Sequence, residues 1–213
     1  MKALALFNAK GGVGTTSLAY HLGFMFAELG RRVVLADFDP QANLTSMCLT
    51  DERLDQIWGL EPRPTIHGAL ARWQRGLGDL ESITPETVTG QISLITGDLR
   101  LSELEDELSL LWPRCLDGDE RAFRGTTALH GVLGGACARD GADVAVIDVG
   151  PNFSAIQRAA LLAADHVLVP VAPDRFSIKV WSASGRGSRP GAQGGASERR
   201  VRRAWTSTCL WVR

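Results

Sequence analysis

The chain has 213 residues, of which 45% are apolar and 22% charged, the balance of an ordinary soluble domain with room for a real core. No apolar run approaches the roughly 20 residues that a membrane span needs, and the first strand pattern starts at Met1, so the reading is cytoplasmic, with no membrane partner. The net charge of −1 averages two unlike pieces: residues 180–213 hold seven Arg against Glu198, or +6, which leaves −7 for residues 1–179.

In chain order, an apolar run over residues 3–7 predicts a strand, and the glycine-rich stretch Ala9-Lys10-Gly11-Gly12-Val13-Gly14-Thr15-Thr16 follows it. A helix pattern starts near Ser17, with Leu18, Leu22, Met25, Phe26 and Leu29 on one face and Gly30 as the stop. Strand, glycine turn and helix N-terminus together make a phosphate cradle, because glycines let successive N–H groups point inward and the helix end adds partial positive charge. The general pattern G-x-x-x-x-G-K-[ST] puts a phosphate-binding lysine where this chain has Thr15.

Val33–Ala36 reads as a strand buried on both faces, ending in Asp37-Phe38-Asp39-Pro40. Carboxylates at the C-terminal end of a parallel strand face the crevice where such sheets bind ligands. Residues 51–90 are less periodic, with a short helix expected around 66–75 and then a strand over 92–95. Ser102 and Glu105 have the spacing of a capping box for a helix through about Leu111, which Trp112-Pro113 would end. A helix is expected from Ala122 to about Arg139, weakened by Gly131, Gly134 and Gly135. Val144–Asp148 is a strand ending in a carboxylate, followed by Gly150-Pro151-Asn152. Such an acid, in a chain with a phosphate loop, commonly supports Mg²⁺. Ala155–Ala164 reads as a helix and 166–171 as a buried strand.

Cys48, Cys115, Cys137 and Cys209 are scattered without C-x-x-C spacing, and His21, His67, His130 and His166 show no metal-ligand spacing. All eight are read as structural.

Lys10-Gly11-Gly12-Val13-Gly14-x-Thr16 resembles the deviant Walker A loop of ParA/MinD-type partitioning ATPases. Asp37-Phe38-Asp39-Pro40-Gln41-Ala42-Asn43 and the Asp148 strand with Gly150-Pro151-Asn152 resemble that family's next motifs, and the likeness covers about residues 1–179. It implies a parallel, doubly wound α/β P-loop sheet of about five strands with flanking helices, lacking the C-terminal part of the family fold. It also implies ATP and Mg²⁺ as cofactors. Gly11, Gly12, Val13, Gly14, Thr15, Thr16 and Ser17 form the nucleotide loop, with Thr16, Asp39 and Asp148 at the metal. Lys10 and Asp39 take the catalytic roles, Lys10 reaching across an ATP-bound homodimer and Asp39 orienting the attacking water or the metal. A ParB-like activator and non-specific DNA are the implied partners, with a nucleoid location in the cytoplasm.

Thr15 argues for impaired hydrolysis, and ATP-dependent docking without turnover is the rival function. An iron–sulfur reductase would need two cluster cysteines at strand ends, and a small-molecule kinase would need a substrate pocket that residues 51–90 do not identify. From residue 180 the Gly-, Ser- and Arg-rich composition has no periodicity and reads as an aberrant, disordered tail. Residues 180–186 can be back-translated so that a shifted frame encodes Leu-Glu-Arg-Leu-Gly-Pro, a helix-compatible continuation. A frameshifted, non-functional fragment is therefore a further expectation, with a native basic arm as its alternative.

Overall fold

A computed structural model describes residues 1–170 of the chain. The tail expectations, the last part of the strand expected over 166–171, and Cys209 lie outside the described residues.

The elements run β1 (Lys2–Leu6), α1 (Thr15–Glu28), β2 (Val33–Asp37), α2 (Asn43–Cys48), α3 (Asp51–Gly59), α4 (Ile66–Gln74), β3 (Glu86–Thr89) and β4 (Ile92–Ile95). A 3-10 turn at Leu99–Leu104 leads into α5 (Glu105–Arg114), and another at Cys115–Asp117 into α6 (Glu120–Thr126). Then come α7 (Ala128–Asp140), β5 (Val144–Asp148), α8 (Ala155–Leu162) and β6 (His166–Leu168). The strands form one six-stranded sheet in the order β3-β4-β2-β5-β1-β6, parallel except for the β3–β4 pair. This is the expected doubly wound α/β sheet, with six described strands rather than about five.

Side chains alternate across the central strands as a two-sided core requires. Ala3, Ala5, Val34, Ala36, Ala145 and Ile147 join the cluster under α4, α5, α7 and α8. Leu6, Val33, Leu35 and Val146 join the cluster under α1 and α2. Glycine and alanine let α1 lie close: Ala19 and Gly23 are its buried residues, and a Cβ on Gly23 would stand 2.5 Å from Leu35 Cδ2.

Several expectations are corrected. The apolar stripe of α1 is not a uniformly buried face, since Met25 is 46% and Leu29 68% exposed. The closest approach is carried by small residues instead, and Leu18, Leu22 and Phe26 pack from its flanks. Ser102 and Glu105 form no capping box. The Ser102 hydroxyl donates to Leu99 O (2.8 Å), inside a 3-10 turn capped by Asp98, and Glu105 serves another helix. Helix α5 passes through Pro113, which falls in its last turn. The helix expected over 122–139 is two helices broken at Thr127, so that α6 packs on α5 and α7 on the sheet. Strand β6 is not a buried strand: it is short, and His166 and Leu168 are exposed.

Candidate functional site

Because β1, β2 and β5 are parallel neighbours, their C-terminal ends deliver three loops to one edge of the sheet. Asp148, the last residue of β5, lies in register between Leu6 of β1 and Asp37 of β2. The glycine loop leaves β1 and enters α1 directly. Asn8 anchors its start: its side-chain Oδ1 accepts from the Lys10 N–H (2.9 Å), and its side-chain Nδ2 donates to Pro170 O.

Two of the three loop glycines are there for conformation. Gly12 and Gly14 have φ of 75° and 83°, where a Cβ would be strained, while Gly11 has an ordinary φ and room for a Cβ at 3.8 Å from Pro151. Gly14 is the N-cap of α1, so no side chain caps this helix, and its first turn holds no acid. The opening N–H groups of α1, at Thr15, Thr16 and Ser17, are the unsatisfied donors that favour an anion. Val13 is half-buried in the loop, and Ser17 is exposed on the first turn.

The carboxylates divide into two roles. Asp37 is fully buried and internally satisfied: its Oδ2 accepts from Thr45 N (2.8 Å) and Thr45 Oγ1 (2.7 Å), and its Oδ1 from Asp39 N (3.2 Å). Thr45 Oγ1 in turn accepts from Gly97 N (2.8 Å), so Asp37 ties α2 to the end of β4. Burial pushes the Asp37 carboxyl up to about 7, and Asp148 adds to the push against the Thr45 and Asp39 hydrogen bonds.

Asp148 is the opposite case. It is buried, and neither carboxylate oxygen has a hydrogen-bond partner of acceptable geometry. Burial pushes it up to about 6; the neighbouring Thr16 hydroxyl and Val149 N–H pull against that, and the Asp39 charge adds to it. A buried carboxylate left without partners costs free energy unless a donor or cation is supplied. Asp39 is nearly buried, accepts the Gln41 N–H on Oδ1 (3.0 Å), and lies so close to Gly150 that a Cβ there would approach Oδ1 to 2.8 Å.

The expected residues Lys10, Gly11–Ser17, Asp39 and Asp148 thus converge on one edge. Their chemistry suits a phosphate and a divalent cation: uncapped helix N–H groups, a threonine hydroxyl, and an acid with two unused oxygens. No group of three or more His, Cys, Asp and Glu among the described residues is arranged to hold a metal alone.

A family model described as an AAA domain matches residues 1–181. The chain is 32% identical over 180 residues to a ParA family protein of Chlamydia pneumoniae, covering 84% of this chain and 62% of that protein. It is 30% identical over 180 residues to the chromosome-partitioning ATPase Soj of Thermus thermophilus, covering 84% and 58%. The chain belongs to the ParA-like P-loop ATPases. It spans about half the length of the curated relatives it matches.

Among solved structures, a Corynebacterium diphtheriae protein superposes with TM-score 0.79 at 30% identity, covering 87% of this chain and 64% of that one. A cobyrinic acid a,c-diamide synthase of Mycobacterium smegmatis, solved with an ATP analog and magnesium, superposes with TM-score 0.60 at 26% identity, covering 87% and 66%. Within this ParA-like frame, sequence reasoning missed Asn8 and Thr45, which carry no motif spacing of their own. It also read Asp37 only as one of two crevice-facing acids. The signal that separates Asp37 from Asp39 is position: Asp37 is still inside the strand, where a polar side chain must find internal partners.

Proposed function

We propose that this chain is a ParA-like partitioning protein that binds ATP with Mg²⁺ and hydrolyses it slowly or not at all. The observation that carries the reading is Asp148: a buried acid with two unpartnered oxygens, beside Thr16 and the uncapped start of α1. Residues Gly11–Ser17 cradle the phosphates with backbone N–H groups. The Thr16 hydroxyl holds Mg²⁺, Asp148 supports it, and Asp39 orients water or the ion. Mg²⁺ bound there neutralises charge on the phosphate oxygens. Lys10 extends to the phosphates of a second copy of the chain, which makes ATP the link of a homodimer. A ParB-like activator and non-specific DNA are the partners of such a switch.

Thr15 sets the level of activity. A neutral hydroxyl on a short stem replaces an ammonium that would follow the terminal phosphates. Losing that charge-assisted contact costs roughly 1.5–3 kcal/mol. The same observation favours a second reading, an ATP-dependent interaction module without turnover.

Equilibrium binding of labelled ATP with and without Mg²⁺, alongside phosphate release, tests the proposal. Weak, Mg²⁺-dependent binding that is lost in Asp148→Asn is expected. Binding indifferent to Mg²⁺ and to that substitution contradicts the site. Turnover at the rate of lysine-bearing relatives, abolished by Asp39→Ala, contradicts the impairment.

A further inference from the structure

Helix α8 begins at Ala155, six residues separating it from Asp148, so its N-terminus fixes the far end of the segment 149–154 that borders the site. Its N-cap, Ser154, makes no side-chain capping bond; the hydroxyl donates instead to Gln157 Oε1. The cap comes from another helix. Glu105, the first residue of α5, accepts the Ala155 N–H on Oε1 (2.7 Å) and the Ile156 N–H on Oε2 (3.1 Å). One turn further along α8, the Arg158 guanidinium lies 4.6 Å from the ring centre of Trp112, also on α5. Helix α5 therefore grips α8 at two points. Between the grip and Asp148, Gly150 lies against Asp39 with no room for a Cβ, so a shift of this segment must move the Asp39 carboxylate or open a gap beside it.

We propose that Glu105 is a positioning residue for the site: by capping α8 from α5, its carboxylate holds segment 149–154 in place and, through Gly150, sets the position of Asp39. Two N–H groups fastened to two oxygens of one rigidly placed carboxylate fix both the translation and the rotation of the helix end. Ser109, one turn along α5, donates to Glu105 Oε1 (3.3 Å) and holds the carboxylate in turn. Partial burial raises the Glu105 carboxyl, and the hydrogen bonds it accepts, those of Ala155, Ile156 and Ser109 among them, outweigh this and hold it below the ordinary glutamate value, so it is ionised at neutral pH. The consequence for nucleotide rests on the ATP reading above; the coupling from Glu105 to Asp39 does not.

The test is amide hydrogen exchange on the full chain without nucleotide, comparing wild type, Glu105→Gln and Glu105→Asp. Glutamine keeps the size but turns an N–H₂ toward one of the two N–H groups. In Glu105→Gln, exchange at 155–158 accelerates about five- to thirtyfold, the equivalent of one lost cap. Exchange at Asp39 and Gln41, whose N–H groups are held by Asp37 and Asp39, accelerates with it, and peptides in β1 and β4 stay unchanged. Glu105→Asp, which keeps the carboxylate, recovers part of the protection in both places. Acceleration confined to 155–158 makes Glu105 a local cap and overturns the proposal. Acceleration spread evenly through the sheet, or no acceleration in Glu105→Gln, overturns it equally. Failure of the wild type to bind ATP would sink the functional reading and leave this result standing.

Discussion

At the scale of single residues, the site is a contrast between two buried acids one strand apart. Asp37 spends its oxygens on Thr45 and the Asp39 N–H, whereas Asp148 keeps both oxygens unspent. Both carboxyls are pushed above their ordinary range, to about 7 and about 6. The sign of the pH effect follows. A carboxyl whose folded pKa exceeds its unfolded value contributes its stability below the unfolded value, near pH 4, and loses it as pH rises through the folded one. Without nucleotide, the pair should therefore cost stability between pH 5 and pH 8. Asp37→Asn removes the titrating group and its repulsion with Asp148. The stability difference between wild type and Asp37→Asn, read from urea midpoints, should move in favour of the variant by about 1–3 kcal/mol from pH 5 to pH 8. A pH-independent difference would mean that Asp37 is not strained by its burial. The acids themselves were legible as strand-end carboxylates; their division of labour was not, because it depends on Thr45 and Gly97 arriving from other elements.

At the scale of elements, continuous apolar runs bounded by turn residues give β2, β4 and β5 almost to the residue, since strands buried on both faces leave little choice of composition. The stretch 43–59 hid α2 and α3. Helix α2 is short, and its N-cap is Ala42 in a left-handed conformation with no capping side chain. Ser102 and Glu105 had the right spacing for a capping box and the wrong geometry, because a 3-10 turn brings Ser102 onto Leu99 and frees Glu105 for α8. Local signals lose to packing when a distant helix end offers better donors. The stripe of α1 misled for a related reason: distance from the sheet is set by Ala19 and Gly23 rather than by its large apolar residues. Gly23→Ala should therefore destabilise despite better helix propensity. Overpacking against Leu35 costs about 1–3 kcal/mol, offset by up to about 1 kcal/mol from the lost glycine. A lowered urea midpoint is the expected outcome. An unchanged midpoint would show that α1 has slack over the sheet.

At the scale of the whole molecule, three loops from three parallel strands meet on one edge of a six-stranded sheet, and the motif order in the chain already required this. Among the described residues no helix is long and apolar enough to cross a membrane. In the proposed reading, the cradle, Thr16 and the two acids Asp39 and Asp148 serve the nucleotide and its Mg²⁺. Thr15 is, in that reading, the departure that sets how strongly the cradle holds phosphate. The most direct measurement is Mg²⁺·ATP affinity for wild type and Thr15→Lys, each with and without Asp148→Asn. Restoring the cation should tighten binding roughly tenfold to a hundredfold, the worth of one charge-assisted phosphate contact, and Asp148→Asn should abolish most of the Mg²⁺ dependence in both backgrounds. Equal affinity of Thr15→Lys and wild type, with Mg²⁺ dependence untouched by Asp148→Asn, would contradict a phosphate and Mg²⁺ site at this edge of the sheet.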